Sequence, residues 1–226
     1  MSTFYRLLVF AATVLLLAAT VQSASASDNP AMDGDIQKLE HGWEHIVYQV
    51  KDHDAQLDQI DALNNEAAKV VQRYPGRAEP LIWNGIIASE EAAIASVFTA
   101  LSYANQARSL FEAAEKINPT ALDAAVPTSL GTLYYRVPGF PIGFGDDGKA
   151  RHYLEQAVKI APNGMDANYF YGDYLIEKGE YAKAAQVLRH ALSLPPHPDR
   201  PVWDAGRRAE IRALLSKAEK RIASAS

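Results

Sequence analysis

Residues 41–45 have the residue types and spacing of a zinc peptidase motif. They read His-Gly-Trp-Glu-His, and in an H-x-x-E-H helix the two histidines share one face and hold zinc while the glutamate acts as general base. The pattern fixes only three positions, contains a glycine and is followed by no obvious third ligand motif. A zinc peptidase that uses His41, Glu44 and His45 is therefore the least supported functional hypothesis. The simpler interpretation is a solvated helix face with Trp43 packed inward.

Acidic residues also cluster after a glycine-rich stretch, where Asp146 and Asp147 lie between Gly145 and Gly148. A calcium loop needs six or more oxygen ligands, and this segment lacks both the alternating acids and the distal glutamate. Asp147 is instead predicted to be the N-cap of a helix that begins near Lys149. Because the chain has no cysteine and no G-x-S-x-G or P-loop motif, we expect no catalytic residue, no metal and no cofactor.

The first 26 residues have the pattern of a secretory signal peptide. Arg6 provides the positive region, residues 7–21 are apolar apart from two threonines, and Ala24-Ser25-Ala26 forms an A-x-A cleavage site. We therefore predict cleavage after Ala26 and a periplasmic location. The apolar run is shorter than the roughly 20 residues of a bilayer span, so no stable membrane insertion is expected after cleavage. A net charge of −5 argues against nucleic acid as a partner.

One spacing occurs three times in the chain: an alanine, a bulky residue four positions later, an alanine three later and a proline five beyond. The three copies are Ala107, Phe111, Ala114 and Pro119; Ala150, Leu154, Ala157 and Pro162; and Ala184, Leu188, Ala191 and Pro196. Abundant alanine and short β-branched runs favour helix over sheet. The chain is therefore predicted to be all-α.

This arrangement, with Gly172, Gly179 and Tyr181 ahead of the third copy, resembles the tetratricopeptide repeat (TPR), a 34-residue helix–turn–helix unit that stacks into a solenoid. The resemblance implies that a partner binds on a concave face and that the chain performs no catalysis. The predicted segments are a signal peptide at 1–26, a flexible lead at 27–34, and a helical domain at 35–224 made of a diverged helix pair at 35–75, repeats at 78–121, 123–164 and 165–198, and a capping helix at 204–223.

A narrower resemblance is carried by the loop between the two helices of the second repeat. The residues that carry it are Tyr134, Tyr135, Arg136, Val137, Pro138, Gly139, Phe140, Gly145, Asp146, Lys149, Ala150 and Arg151. Together with the export signal and the irregular repeats, they are similar to the TatT family of periplasmic TPR proteins associated with TRAP-type solute transporters. The resemblance implies an accessory protein that binds a small ligand or a periplasmic solute-binding protein.

Two of the repeats are longer than the standard unit. In the first, the extra residues fall within 90–103, which has no proline or glycine and is therefore predicted to lengthen the helices. In the second they fall within 137–148, where two prolines and four glycines exclude a helix. This loop carries Phe140, Ile142 and Phe144, which should either pack onto the solenoid or be presented to a ligand.

Counting from each repeat glycine predicts which residues of the first helices line the concave face. These are Ile82, Ile86 and Glu90; Thr128, Thr132, Tyr135 and Arg136; and Tyr169, Asp173, Ile176 and Glu177. With Phe140 and Phe144 they form the predicted partner-binding site, and the alternative is that some of them simply pack between helices. The expected partner is a protein, a peptide or a small apolar ligand in the cell envelope. Arg136 is the only cation among them, so recognition of an acidic C-terminus is not expected.

Overall fold

The structure is a computed structural model that describes residues 29–225. Nine α-helices occur in this part of the chain: α1 (Pro30–Gln49), α2 (His53–Arg73), α3 (Ala78–Ile94), α4 (Val97–Ile117), α5 (Ala121–Arg136), α6 (Asp147–Ile160), α7 (Met165–Glu177), α8 (Tyr181–Ser193) and α9 (Pro201–Ala223). Within the same residues there is no β-strand, and no helix has the length and apolar character needed to cross a membrane. The all-α prediction is confirmed. The predicted signal peptide, residues 1–26, lies outside the described residues.

Helices α3 and α4, α5 and α6, and α7 and α8 form pairs, and each pair crosses at a glycine. A β-carbon added at that glycine would come within 2.6 Å of the bulky residue of the repeat spacing on the second helix. The three contacts are Gly85 with Phe111, Gly131 with Leu154 and Gly172 with Leu188. Close approach therefore explains a glycine inside each first helix, despite its cost of about 1 kcal/mol relative to alanine.

The alanines of the repeat spacing form the small-residue part of the core. All six are fully buried: Ala107, Ala114, Ala150, Ala157, Ala184 and Ala191. The bulky residues between them are buried to the same degree. Alternation of small and bulky side chains along the second helices thus allows neighbouring helices to interlock at the density of a protein interior.

The chain enters its first helix earlier than the sequence indicated. α1 begins at Pro30, where the missing N–H of proline has no cost, and the side chain of Asn29 accepts a hydrogen bond from Met32 N at 3.1 Å. Met32 is itself buried, which ties the first turn to the core. The predicted flexible lead at 27–34 is therefore wrong for residues 30–34, because this cap and this burial outweigh the polar composition.

The first insertion lengthens both helices of its pair, as predicted. α3 has 17 residues and ends at Ile94, and α4 has 21 residues and begins at Val97. The added turn of α3 is anchored by Glu91, whose buried carboxylate accepts a hydrogen bond from Asn64 Nδ2 of α2 at 2.6 Å. The insertion thus joins the regular packing of the solenoid.

The last helix does more than cap the third repeat. α9 packs on α8 through the buried Ile211 and Ala218, as the sequence predicted, but it also contacts α7 and α1. The first helices of successive pairs, α1, α3, α5, α7 and α9, each contact the next, and α9 contacts α1. These five helices therefore form a closed arrangement, which we call the inner ring.

Candidate functional site

The inner ring closes where α1 meets α9, a contact region that we call the seam. Tyr48 of α1 lies against Gly206 of α9, and a β-carbon added at Gly206 would come within 2.3 Å of the tyrosine ring. The Tyr48 hydroxyl donates a hydrogen bond to Glu210 Oε2 at 3.4 Å. Burial raises the pKa of Tyr48 above its ordinary value, so the phenol remains a protonated donor. Only glycine at position 206 allows this approach.

Arg200, immediately before α9, strengthens the seam at a second point. Its guanidinium forms an ion pair with Glu44 of α1, which is 2% exposed. The same guanidinium lies 4.7 Å from the ring centroid of Trp203 and 5.6 Å from that of Trp83, within the range of cation–π attraction. Removing either member of the buried pair would leave an uncompensated charge, so the pair favours the closed ring.

Arg207 of α9, which is 6% exposed, lies among polar side chains of α3 and α7. Its Nη1 donates a hydrogen bond to Glu210 Oε2 at 2.6 Å. Its Nε lies 2.7 Å from Asp166 Oδ1 without the alignment of a hydrogen bond, so this contact is an ion pair. The guanidinium also lies 4.2 Å from the ring centroid of Tyr169. We call the set that surrounds Arg207 the ring interior: Glu90, Asp166, Tyr169, Arg207 and Glu210.

The ring interior contains more acid than base, and its pKa values reflect this. Burial raises the pKa of Glu90, attraction to Arg207 offsets only part of the effect, and repulsion from Glu210 adds to it. Burial raises the pKa of Glu210 as well, again against the attraction of Arg207. Burial also raises the pKa of Tyr169 to about 12. One guanidinium thus balances several carboxylates, and its loss would leave them without a cation.

A second polar group lies at the C-terminal ends of α5 and α7, and we call it the rim: Tyr135, Arg136, Asp173 and Glu177. The Asp173 carboxylate, 3% exposed, accepts a hydrogen bond from the Tyr135 hydroxyl at 2.6 Å and forms an ion pair with Arg136. The guanidinium of Arg136 lies 5.0 Å from the Tyr135 ring centroid, yet its side chain is 53% exposed. Glu177 lies 3.6 Å from Lys217 Nζ of α9. The rim therefore presents an oriented arginine to solvent.

The loop between α5 and α6 has a tight backbone that only glycine permits. Gly145 N donates a hydrogen bond to the Pro138 carbonyl at 2.9 Å, and a β-carbon on Gly145 would come within 2.9 Å of the same carbonyl carbon. Asp146 caps α6 by accepting a hydrogen bond from Lys149 N at 2.9 Å. The prediction of Asp147 as the N-cap is wrong by one residue, because Asp146 has the extended backbone of a cap and Asp147 is already helical.

The two phenylalanines of this loop lie in different environments. Phe144 contacts the ring of Tyr134 edge-on, with centroids 5.9 Å apart, and the guanidinium of Arg108 lies 4.1 Å from its ring centroid. Phe144 therefore packs onto the solenoid, one of the two alternatives drawn from the sequence. Phe140, in contrast, is 94% exposed.

An exposed apolar surface forms where the two insertions meet. We call it the apolar tip, and its members are Val97, Phe98, Phe140 and Ile142, with exposures of 84%, 93%, 94% and 69%. The contact between the insertions is made by Leu101 of α4, whose Cδ1 would lie 3.3 Å from a β-carbon added at Gly143. Phe98 precedes Leu101 by three residues and so lies on the same face of α4. The tip is thus one surface built from two separate segments.

The histidine motif of α1 does not assemble a zinc site. Its glutamate, Glu44, is buried and paired with Arg200, while His41 Nδ1 lies 3.7 Å from Glu44 Oε2. His45 Nδ1 lies 2.8 Å from Gln49 Oε1. Among the described residues, no group of three histidine, cysteine or acidic side chains is arranged to hold a metal. Trp43 is buried, as the packing interpretation of this motif expects.

The structure brings together only part of the predicted concave site. Glu90 and Tyr169 belong to the ring interior, beneath α9, and Tyr135, Arg136, Asp173 and Glu177 form the rim. Ile82, Ile176 and Thr128 are buried, so their assignment to the binding surface is wrong. Tight contact between neighbouring first helices covers these positions.

Two further predicted residues have local roles. Thr132 Oγ1 donates a hydrogen bond to the Thr128 carbonyl within α5 at 2.8 Å. Ile86 is partly buried and packs against the hydrophobic core. Both contacts stabilise the fold itself, and neither indicates a partner-binding site.

The residues that sequence reasoning missed come from α1, α7 and α9 and from the turn before α9: Tyr48, Asp166, Arg200, Arg207 and Glu210. Two signals were present in the sequence. Gly206 interrupts a helical pattern, which indicates close approach of another element. Arg207 occupies the apolar stripe between Trp203 and Ile211, four residues from each, where a charged side chain must be paired if it is buried.

Comparison with known proteins agrees with the geometry of the helix pairs. Residues 166–198 match the sequence profile of the tetratricopeptide repeat. The fold is similar to the crystal structure of a thermophilic TPR protein from Thermus thermophilus, with a TM-score of 0.51 and 19% identity over 84% of this chain and 91% of that chain. A search of the curated proteins found no significant match. At this identity the likeness concerns the fold, which is that of a TPR-like helical solenoid.

Proposed function

We propose that this chain is an exported scaffold that holds a protein or peptide partner at the rim and performs no catalysis. The TPR-type fold supports partner binding in general, because such solenoids offer extended concave surfaces. Arg207 of α9 and its partners fill the ring interior, whereas Arg136 of the rim remains accessible. Export to the periplasm is part of the proposal and rests on the signal-peptide pattern of residues 1–26.

One observation carries the proposal: Arg136 is exposed yet oriented. The buried Asp173 and the ring of Tyr135 hold its guanidinium from one side, while 53% of the side chain faces solvent. An arginine fixed in this way loses little conformational entropy when it binds. Its free N–H groups suit the carbonyl or carboxylate oxygens of a peptide.

Site-specific crosslinking tests this assignment. Because the chain has no cysteine, Glu177→Cys creates a single attachment point on the rim for a photoactivated crosslinker. We expect envelope fractions to give discrete protein adducts from this position. Arg136→Ala in the same background should remove them, because the oriented guanidinium is lost.

Two matched controls make the test specific. Arg189→Cys places the crosslinker on α8, where the native side chain is 59% exposed, and Arg212→Ala removes an exposed arginine of α9 instead of Arg136. Identical adducts from positions 177 and 189 would contradict the proposal. So would adducts from position 177 that survive Arg136→Ala as well as they survive Arg212→Ala.

A narrower form of the proposal makes the partner a component of a TRAP-type uptake system. Its support is the similarity of the loop between α5 and α6 to the TatT family, since that loop borders the rim through Arg136. If this form is correct, the adduct from position 177 is a periplasmic solute-binding protein encoded beside TRAP membrane subunits. An adduct of unrelated identity would reject the narrower form and leave the scaffold proposal intact.

A further inference from the structure

The two segments that meet at the apolar tip carry no charged residue. Residues 92–107 and residues 137–145 contain no Asp, Glu, Lys or Arg, although such residues make up 22% of the chain. Arg108 directly follows the first segment, and Arg136 directly precedes the second. The absence of charge therefore coincides with the exposed apolar surface.

Several polar groups at the start of α4 have partners within the tip. The backbone N–H groups of Thr99 and Ala100 bond to the Ser96 carbonyl at 3.0 and 2.9 Å. The hydroxyls of Ser96 and Thr99 bond to each other at 3.1 Å. The N–H groups of Thr99 and Ala100 thus have internal partners, whereas Ser96 makes no side-chain cap hydrogen bond to the helix.

Part of the loop backbone is also bonded internally. The N–H groups of Ile142 and Gly143 donate to the Gly139 carbonyl at 3.1 and 3.2 Å. Pro138 and Pro141 have no N–H to satisfy. The N–H groups of Ile142 and Gly143, and the two prolines, therefore need no hydrogen bonds from water.

We propose that the apolar tip enters the surface of a lipid bilayer and docks the scaffold on a membrane. Charged groups and unbonded polar groups are costly in hydrocarbon. The two segments contain no charged residue, and part of their backbone is bonded internally, so the apolar side chains can enter the bilayer surface while the backbone stays at the headgroup level. Protein–protein interfaces instead surround their apolar centre with a polar rim, and neither segment has a charged side chain to contribute to one. The contact is peripheral and reversible, with no helix crossing the bilayer.

The composition of the tip also defines the lipid chemistry. No basic side chain lies in either segment and the whole chain has a net charge of −5, while the neighbouring Arg108 packs on the ring of Phe144, so anionic headgroups are not the expected source of binding. The tip therefore binds a neutral bilayer surface through its apolar side chains. This inference does not depend on the rim, because Phe98 and Phe140 belong to neither the rim nor the ring interior.

Vesicle flotation tests the inference with the chain from Ser27 onward, which contains every described helix. The variants are Phe98→Ser, Phe140→Ser and the double variant, and the vesicles are phosphatidylcholine alone. We expect the unsubstituted chain to float, each single variant to partition about tenfold less, and the double variant to remain in solution. Ile117→Ser is the matched control, because Ile117 is 45% exposed at the opposite end of α4, and its flotation should not change.

Three outcomes of the flotation experiment would overturn the inference. The unsubstituted chain could stay in solution, the tip variants could float as well as Ile117→Ser, or flotation could require anionic lipid and disappear in high salt. Light scattering distinguishes a second copy as the occupant: a dimer that Phe98→Ser dissociates would also overturn it. Crosslinks from position 177 at the rim should persist in the double variant, so failure here is separate from failure of the scaffold proposal.

Discussion

The ring interior and the apolar tip place their side chains in opposite ways. In the ring interior a charged residue is buried, with Arg207 6% exposed, whereas at the tip Phe98 is 93% exposed. Arg207 has Asp166, Glu210 and Tyr169 around it. Among the described residues, no side chain covers Phe98 in a comparable way. A buried charge with partners belongs to the packing of the fold, whereas an exposed apolar surface without partners is typical of a binding site.

This difference indicates that stability and binding are separated in the chain. Residues of the ring interior hold α9 to α1 and α7, so their loss should destabilise the fold. Residues of the tip contribute little to the core, so their loss should change binding alone. The following predictions test that separation, beginning with the largest effect.

Arg207→Ala should lower the free energy of unfolding by about 2–3 kcal/mol, because it removes a buried guanidinium that is hydrogen-bonded to Glu210 and packed on Tyr169. Urea denaturation followed by circular dichroism measures the change. Arg189→Ala is the control, since Arg189 is exposed and pairs with Glu219 at 2.6 Å. That exposed pair should contribute no more than about 1 kcal/mol. Equal losses of unfolding free energy in the two variants would contradict the structural role given to the ring interior.

Gly172→Ala should lower the free energy of unfolding by about 1–3 kcal/mol, because the new methyl group would meet Leu188 at 2.6 Å. Gly34→Ala tests the opposite case, because an added β-carbon there meets nothing within 4 Å. Alanine at position 34 should stabilise α1 by about 0.5–1 kcal/mol. Thermal melts of the two variants should therefore shift in opposite directions.

The pH dependence of stability should depend on Glu90. Its pKa is raised in the folded state, so protonation favours folding: the contribution is complete below the unfolded pKa of about 4.3 and is lost as pH rises through the folded pKa. Glu90→Gln removes the cost of a buried carboxylate, with Asp166 and Glu210 still paired to Arg207. The variant should be more stable than the parent at neutral pH and equal to it in acid. A constant difference across pH would contradict this account.

The smallest effect is expected at the tip. The double variant Phe98→Ser and Phe140→Ser should keep its free energy of unfolding within about 0.5 kcal/mol of the parent, because exposed side chains away from structural contacts rarely matter more. Urea denaturation in the absence of lipid provides the measurement. A loss as large as that of Gly172→Ala would show that the tip belongs to the core.

The repeat part of the fold could be predicted from the sequence, because its determinants are local in each helix pair. Gly85, Gly131 and Gly172 must lie at the crossings, since only glycine allows the bulky residue of the second helix to approach. The length of α3 and α4 was also predictable, because residues 90–103 contain no helix breaker. The rim was found in part for the same reason: Arg136 and Asp173 were both counted from a repeat glycine.

The closure of the inner ring could not be predicted, because it depends on contacts between distant parts of the chain. Tyr48 and Glu210 are 162 residues apart, and no repeat spacing relates them. The amphipathic pattern of α9 identified Ile211 and Ala218 but not Arg207, because a charged residue is normally assigned to the solvent face. Pairing with Asp166, which lies on a different helix, is what permits its burial.

Closure by α9 is the central claim, and disulfide formation at the seam tests it most directly. In the double variant Tyr48→Cys and Gly206→Cys, the β-carbon at position 206 would lie 2.8 Å from the site of Tyr48 Cγ, one bond from the Tyr48 β-carbon. The two β-carbons are therefore no more than about 4.3 Å apart, which a disulfide with a Cβ–Cβ separation of about 3.5–4.5 Å can span. The closed ring predicts that mild oxidation gives a complete crosslink with unchanged helix content. Gly34→Cys with Gly206→Cys, displaced by about 21 Å along α1, should not crosslink. Free thiols at 48 and 206 after oxidation, or equal crosslinking of both pairs, would contradict the closed ring.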